Sequence, residues 1–224
     1  GGGSVNIDDT DPTNELQNLS VSAAGATLYL QNGGFVIVPG ISAANAQPPS
    51  YPSGSVFCAS GATAIVDVTN PTTGRIWMDR NLGATQVATS STDVDSYGDL
   101  YQWGRRSDGH QCRTSATTAT LSSIDQPAGN FILAPSAPYD WRSPQNSNLW
   151  QGANGTNNPC PSGYRLPTDT ELDTERLSWS VNTSVGAFAS ALKLPMGGYR
   201  NISSGSLTLV GTWGGYWSST VSST

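Results

Sequence analysis

The chain has 224 residues, room for one good-sized domain and an appendage. Ten Lys and Arg against 16 Asp and Glu give a formal net charge of −6. Phosphate binding needs clustered cations, so nucleic acid and anionic membrane surfaces are excluded as partners. Charged residues make up only 12 % of the chain and Gly and Pro are plentiful, but seven Trp and eight Tyr supply core material that disordered chains lack. No apolar run approaches the ~20 residues that span a bilayer, so membrane insertion is not expected.

The chain opens Gly1-Gly2-Gly3-Ser4 without an initiating Met and is read as part of a longer polypeptide, so the missing targeting segment carries no information about secretion. Residues 1–17, with Asp8, Asp9 and Asp11, read as a linker. Residues 18–39 predict a β-hairpin stalk segment: Ala26–Leu30 and Phe35–Val38 flank Gln31-Asn32-Gly33-Gly34, and Asn-Gly supplies the positive φ angles of a tight turn. An isolated hairpin is marginal in water, so this one must pack on a neighbour: the main domain, a preceding repeat or sister chains. Residues 40–54 are small and Pro-rich and form a second linker, which leaves 55–224 as the main domain.

Within that domain, Ala64–Val68 and Arg75–Met78 predict two strands around the Asn70–Gly74 turn. Tyr97, Leu100, Tyr101 and Gly104 fit either a helix or an aromatic strand. Residues 105–160 have little periodicity and few apolar residues, which points to functional loops. Thr168–Trp179 predicts a helix with Thr168 as N-cap and Glu171 completing a capping box. Val185–Leu194 fits a short second helix or a loop entering a strand.

Catalytic signatures are weak. The single histidine, His110, lies in a polar Gly/Gln context and reads as a surface-loop residue, and no serine sits in a nucleophile elbow. Glu15, Glu171 and Glu175 are the only glutamates; the last two sit four apart on one face of the predicted helix, where solvated carboxylates are ordinary. The chain is therefore read as non-enzymatic, with a hydrolase as the unsupported rival. No cofactor is expected. Asp93–Asp99 has spare carboxylate oxygens but departs from the EF-hand spacing, which leaves a structural Ca²⁺ there as a candidate. Cys58, Cys112 and Cys160 match no zinc spacing, and an odd count leaves at least one thiol over.

Four motifs in order carry a resemblance: Gly74-Arg75-Ile76-Trp77-Met78-Asp79-Arg80-Asn81-Leu82-Gly83; Asn158 to Thr168 around Pro159-Cys160-Pro161-Ser162-Gly163-Tyr164-Arg165-Leu166-Pro167; Leu194-Pro195-Met196-Gly197-Gly198-Tyr199-Arg200-Asn201; and Gly214-Gly215-Tyr216-Trp217-Ser218-Ser219-Thr220. Together they resemble the Fibrobacter succinogenes major paralogous domain family, which is grouped with C-type-lectin-like folds. The resemblance covers roughly residues 55–224. It implies an α+β, loop-rich domain with small antiparallel sheets and one or two short helices, truncated at its C-terminal end. It also implies a disulfide between Cys58 and Cys112, with Cys160 pairing to a cysteine beyond Thr224; three unpaired thiols are the alternative. The formylglycine-generating enzymes share the broader fold but need a reactive cysteine pair late in the chain, and Cys160 stands alone. The Gln126-Pro127-Ala128 and Trp217-Ser218-Ser219 segments lack the carboxylates with which sugar-binding C-type lectins hold Ca²⁺.

The segment from Tyr199 to Tyr216 resembles the variable region of C-type-lectin-like proteins diversified by retroelements. That likeness nominates Tyr199, Asn201, Ser203, Trp213 and Tyr216 as ligand contacts. Tyr199 and Trp217 have a competing reading as core aromatics, favoured for Trp217, and Trp213 fits exposure and burial equally. Residues 18–39 resemble phage tail-fibre and adhesin shafts. The implied role is a secreted, cell-surface or virion-surface recognition module at the tip of a larger adhesin or fibre. Its partners would be a surface glycan or protein, the rest of its own polypeptide and sister chains through the stalk; the alternative is a structural fibre subunit with no soluble ligand.

Overall fold

The computed structural model describes residues 49–58 and 61–221, and, in residues 1–48, the backbone of three strands. The chain divides into two units, Gly1–Pro48 and Pro49–Thr224. In the first, β1 (Leu19–Val21), β2 (Thr27–Leu30) and β3 (Gly33–Ile37) form an antiparallel sheet in that order. The expected hairpin is thus extended by a third strand. Tyr29 pairs with Phe35 and Leu28 with Val36, and the register shifts between Tyr29 and Leu30. The predicted linker at 1–17 and the residues 40–48 of the second linker lie outside the described residues, as does the expected Asn32 turn position.

The second unit is mixed α/β and loop-rich. Its sheets are two-stranded: β4 (Asp67–Thr69) with β5 (Ile76–Met78), parallel β6 (Thr117–Thr118) with β7 (Phe131–Ile132), and β8 (Tyr199–Arg200) with β9 (Leu207–Thr208). A 3-10 turn spans Val94–Ser96, and two helices follow, α1 (Asp169–Leu177) and α2 (Ser184–Ala189). No helix among the described residues is long and apolar enough to cross a membrane. The Tyr97–Trp103 stretch is neither helix nor strand.

Helix α1 starts as its sequence dictates. Glu171 N–H donates to Thr168 Oγ1 (3.3 Å) and Thr168 N–H to Glu171 Oε2 (2.9 Å), a complete capping box. Glu175 departs from expectation. It is only 1 % exposed, turned inward rather than along a solvated face. Its carboxylate accepts from Asn70 Nδ2 (2.7 Å) and from Trp179 Nε1 (3.3 Å). Asn70 in turn accepts from the Thr72 and Thr73 amides, so one buried amide side chain shapes the β4–β5 turn and docks the helix on it.

The 105–160 stretch, expected as functional loops, is the heart of the core. Ile132, Trp141 and Leu149 cluster there with Trp103 packed against them, and Trp150 is as deeply buried. Each of three indole N–H groups finds a carbonyl: Trp141 on Trp103 (2.7 Å), Trp150 on Asn157 (3.0 Å), and Trp103 on Ser218 (2.9 Å). Polar side chains hold the strandless backbone. Gln102 donates to the Ile132 carbonyl (2.8 Å) and accepts its amide (2.9 Å), as a strand partner would. The cystine Cys58–Cys112 closes 54 residues of chain, in agreement with the pairing implied by resemblance.

Removing the Asn70 amide leaves the buried Glu175 carboxylate with one fewer donor. Asn70→Ala is expected to cost about 2–3 kcal/mol of stability in equilibrium urea unfolding; a loss below about 0.5 kcal/mol would show that the helix dock does not depend on this bond.

Candidate functional site

One face of the second unit carries an open groove of about 1060 Å³. Its walls come from separate parts of the chain: β5, the Tyr97–Tyr101 segment, α1, and the C-terminal aromatics Tyr199, Trp213, Tyr216 and Trp217. The lining is mainly apolar, interrupted by arginines at the rim that are already engaged. Arg75 and Arg165 both bind Glu171, at 2.8 and 2.7 Å. Those bonds, Arg165 first, hold the Glu171 carboxyl down at about 2.

Tyr199 and Trp213 stand edge to face, ring centres 5.6 Å apart. Trp213 is 47 % exposed, which settles its open reading towards exposure. A Cβ on Gly215 would fall 2.2 Å from the Trp213 ring, so glycine there lets the indole lie over the backbone. Tyr216 is anchored by its hydroxyl donating to the Pro195 carbonyl (2.6 Å), and burial pushes its pKa well up. Trp217, expected in the core, is 51 % exposed; its indole N–H donates to the Tyr101 carbonyl (2.8 Å) while its ring faces outward. The core expectation for Trp217 fails because one distant carbonyl satisfies its indole N–H while the ring stays half exposed.

The structure separates the other two nominated residues from this group. Asn201 and Ser203 lie in the β8–β9 turn and do not line the groove. The Asn201 side chain accepts from the Ser203 and Ser204 amides (2.8 and 3.1 Å), so its carbonyl shapes the turn. Ser203 itself is exposed.

Backbone bonds fix the aromatic segment: Gly198 N–H to Trp213 O (2.8 Å) and Gly211 N–H to Met196 O (2.8 Å). Arg200 locks the hairpin to the rest of the unit. Its guanidinium donates to Gly205 O (2.6 Å), Ser115 O (2.6 Å) and Cys112 O (3.3 Å), and lies 4.4 Å from the Phe131 ring centre.

His110 corrects another expectation, being fully buried rather than a surface-loop residue. Its Nε2 accepts the Gln102 amide (2.9 Å) and its Nδ1 lies 2.7 Å from Asp108 Oδ1. An Nε2 that accepts a backbone N–H carries no proton, so the ring is neutral with its hydrogen on Nδ1. Burial pushes its pKa down to about 4, against the pull of Asp108. The calcium candidate also changes character. The Asp93 carboxylate caps the 3-10 turn and accepts from Thr89 N and Oγ1 and from Gln86 (2.8–2.9 Å). Among the described residues no group of three or more His, Cys, Asp or Glu is arranged to hold a metal.

Two more groove residues are ones the sequence singled out for other roles, Cys160 as half of a cystine with a cysteine beyond Thr224 and Asp99 as part of the calcium candidate. Cys160 is a buried thiol, unpaired among the described residues, whose pKa burial raises to about 12. Asp99 is pushed up to about 7 by burial, against the attraction of Arg113. No protein-family model, curated protein or solved structure matches the chain.

Asp99 and His110 pull stability in opposite directions over one pH range. The unfolded His110 titrates at 6.5 and the folded at about 4, so its contribution is present above 6.5 and is lost as pH falls towards 4. Asp99 titrates at 3.8 unfolded and about 7 folded, so folding is penalised increasingly as pH rises from about 4 to 7. Each slope is about 1.4 kcal/mol per pH unit, so the two nearly cancel. Asp99→Asn is expected to give stability that climbs from pH 4 to 6.5, and His110→Gln stability that falls over the same range. Urea midpoints at half-unit intervals check this; parallel profiles for the two variants would contradict it.

Proposed function

We propose that the second unit is a non-enzymatic recognition module of the C-type-lectin-like kind, working outside the cell or on a virion surface as the tip of a larger adhesin or fibre. The observation that carries this reading is the exposed Tyr199–Trp213–Tyr216–Trp217 group on an immobilised backbone. Exposed clusters of large aromatics are costly in water and mark binding surfaces. Tyr and Trp give large contact areas with few rotamers to freeze, and their faces suit both sugar C–H groups and protein side chains. The target is a surface glycan or protein. The Cys58–Cys112 cystine fits an oxidising compartment. Asn201 and Ser203 act as secondary contacts on the neighbouring turn.

Catalytic alternatives find little here. His110 has both ring nitrogens committed, and Glu175 is hydrogen-bonded at both oxygens. Recognition by shape and stacking needs neither.

Immobilised glycans and whole bacterial cells, probed with the chain with and without EDTA, test the reading. Saturable binding is expected, weakened at least about ten-fold by Trp213→Ala with the thermal midpoint unchanged, and indifferent to EDTA. Binding unaffected by Trp213→Ala would remove the aromatic face from the account. Silence across the whole panel would favour the structural fibre subunit instead.

A further inference from the structure

Strand β5 has one edge without partners. Its pairing with β4 follows a register in which Val68 faces Trp77, with Asn70 N–H on Arg75 O and Asp79 N–H on Val66 O on either side. Hydrogen-bonded pairs alternate along an antiparallel ladder, so Arg75, Trp77 and Asp79 turn their backbone groups to β4. Ile76 and Met78 turn theirs the other way, and among the described residues no hydrogen bond reaches those four groups. Backbone N–H and C=O groups seldom go unpaired, and a bare edge is a template for another strand.

That edge borders the groove, whose lining of Ile76, Trp77, Leu100, Leu194 and Trp217 suits apolar side chains at alternate positions. The groove also holds a carboxylate without an ion pair. Its arginines at positions 75, 80, 165 and 176 are ion-paired, Arg200 is committed to backbone carbonyls, and Asp99 feels Arg113 only at a distance. The Asp99 carboxylate, packed over Gly83 where a Cβ would fall 2.2 Å from its Cγ, accepts no hydrogen bond among the described residues. An occupant that completes this site is therefore extended, apolar on one face, and carries a cation or donor opposite Asp99.

We propose that the β5 edge accepts a β-strand from another polypeptide, with main-chain bonds to Ile76 and Met78 and a lysine or arginine meeting Asp99. This goes beyond the recognition reading, since it uses the β5 edge and Asp99 and shares only Trp217 with the aromatic face. Affinity comes from the backbone bonds and selectivity from the alternate pockets and the charge.

The probe is a fluorescein-labelled eight-residue peptide alternating Val and Thr with one central Lys, added to the whole chain. Saturable anisotropy is expected, with slowed amide exchange at Ile76 and Met78. Met78→Pro deletes an outward N–H that β4 does not use, so it is expected to weaken binding more than ten-fold with stability retained. Ile76→Pro serves as the second variant should the first fail to fold. Asp99→Asn, or Lys→Met in the peptide, is expected to cost about ten-fold each and not additively. Trp213→Ala, decisive for the recognition reading, is expected to leave peptide binding within about two-fold, so the two ideas fail separately. Equal peptide affinity in both proline variants, or no added protection at residues 76 and 78, would overturn the proposal. Full protection without peptide would also overturn it: the edge is then covered by a second copy if protection rises with protein concentration, and by the chain itself if it does not.

Discussion

The Arg105 guanidinium is the constraint on which the rest of this structure depends. It is wholly buried, yet all five of its N–H donors are engaged. Nε and one terminal nitrogen grip Asp108 Oδ2 (3.2 and 2.8 Å), and the remaining bonds reach Gln102 Oε1 (2.9 Å), Asn130 O (2.8 Å) and Ala128 O (3.0 Å). The Trp141 ring centre lies 5.5 Å from it. A buried charge is tolerated only when paired and fully bonded, and a fork of five fixed donors can tie together backbone that has no ladder of its own. Asp108 then orients His110, His110 accepts from Gln102, and Gln102 brackets Ile132. A closed polar circuit stands where a sheet would stand in a strand-rich protein.

This arrangement explains how a domain with strands of two or three residues presents a fixed surface. Trp103 sits between the circuit and the aromatic face. Its carbonyl receives Trp141, its ring packs at 5.7 Å on Trp150, and its indole N–H holds Ser218, one residue beyond the exposed Trp217. On the other side Arg200 ties the β8–β9 hairpin to the turn at Cys112 and Ser115. The face is displayed by side-chain-to-backbone bonds rather than by regular structure.

Local chemistry was legible in the sequence wherever the determinants lie close together in the chain. The Thr168–Glu171 capping box, the β4–β5 turn and the β2–β3 pairing all rest on contacts within a few residues. The mixed, loop-rich class and the Cys58–Cys112 cystine followed from composition and from a motif resemblance. What misled was residue type. His110 stood in a polar context and Glu175 is of a type that usually faces water, yet each is buried because partners distant in the chain or one turn away satisfy it. The Glu175–Asn70 bond spans 105 positions, and no periodicity marks it. Of the nominated contacts, Tyr199, Trp213 and Tyr216 converge on the groove while Asn201 and Ser203 do not. Trp217, expected in the core, stays half exposed because a carbonyl far away in the chain, that of Tyr101, satisfies its indole N–H.

Replacement of Arg105 by lysine tests this account most directly, since lysine keeps the charge but offers one point of contact instead of a planar fork. If the circuit organises the domain, Arg105→Lys loses about 3–5 kcal/mol in equilibrium unfolding, and amide protection collapses together across residues 102–132. A loss under about 1 kcal/mol with protection intact would mean that the aromatic cluster alone holds the loops, and that the buried guanidinium is incidental to the fold.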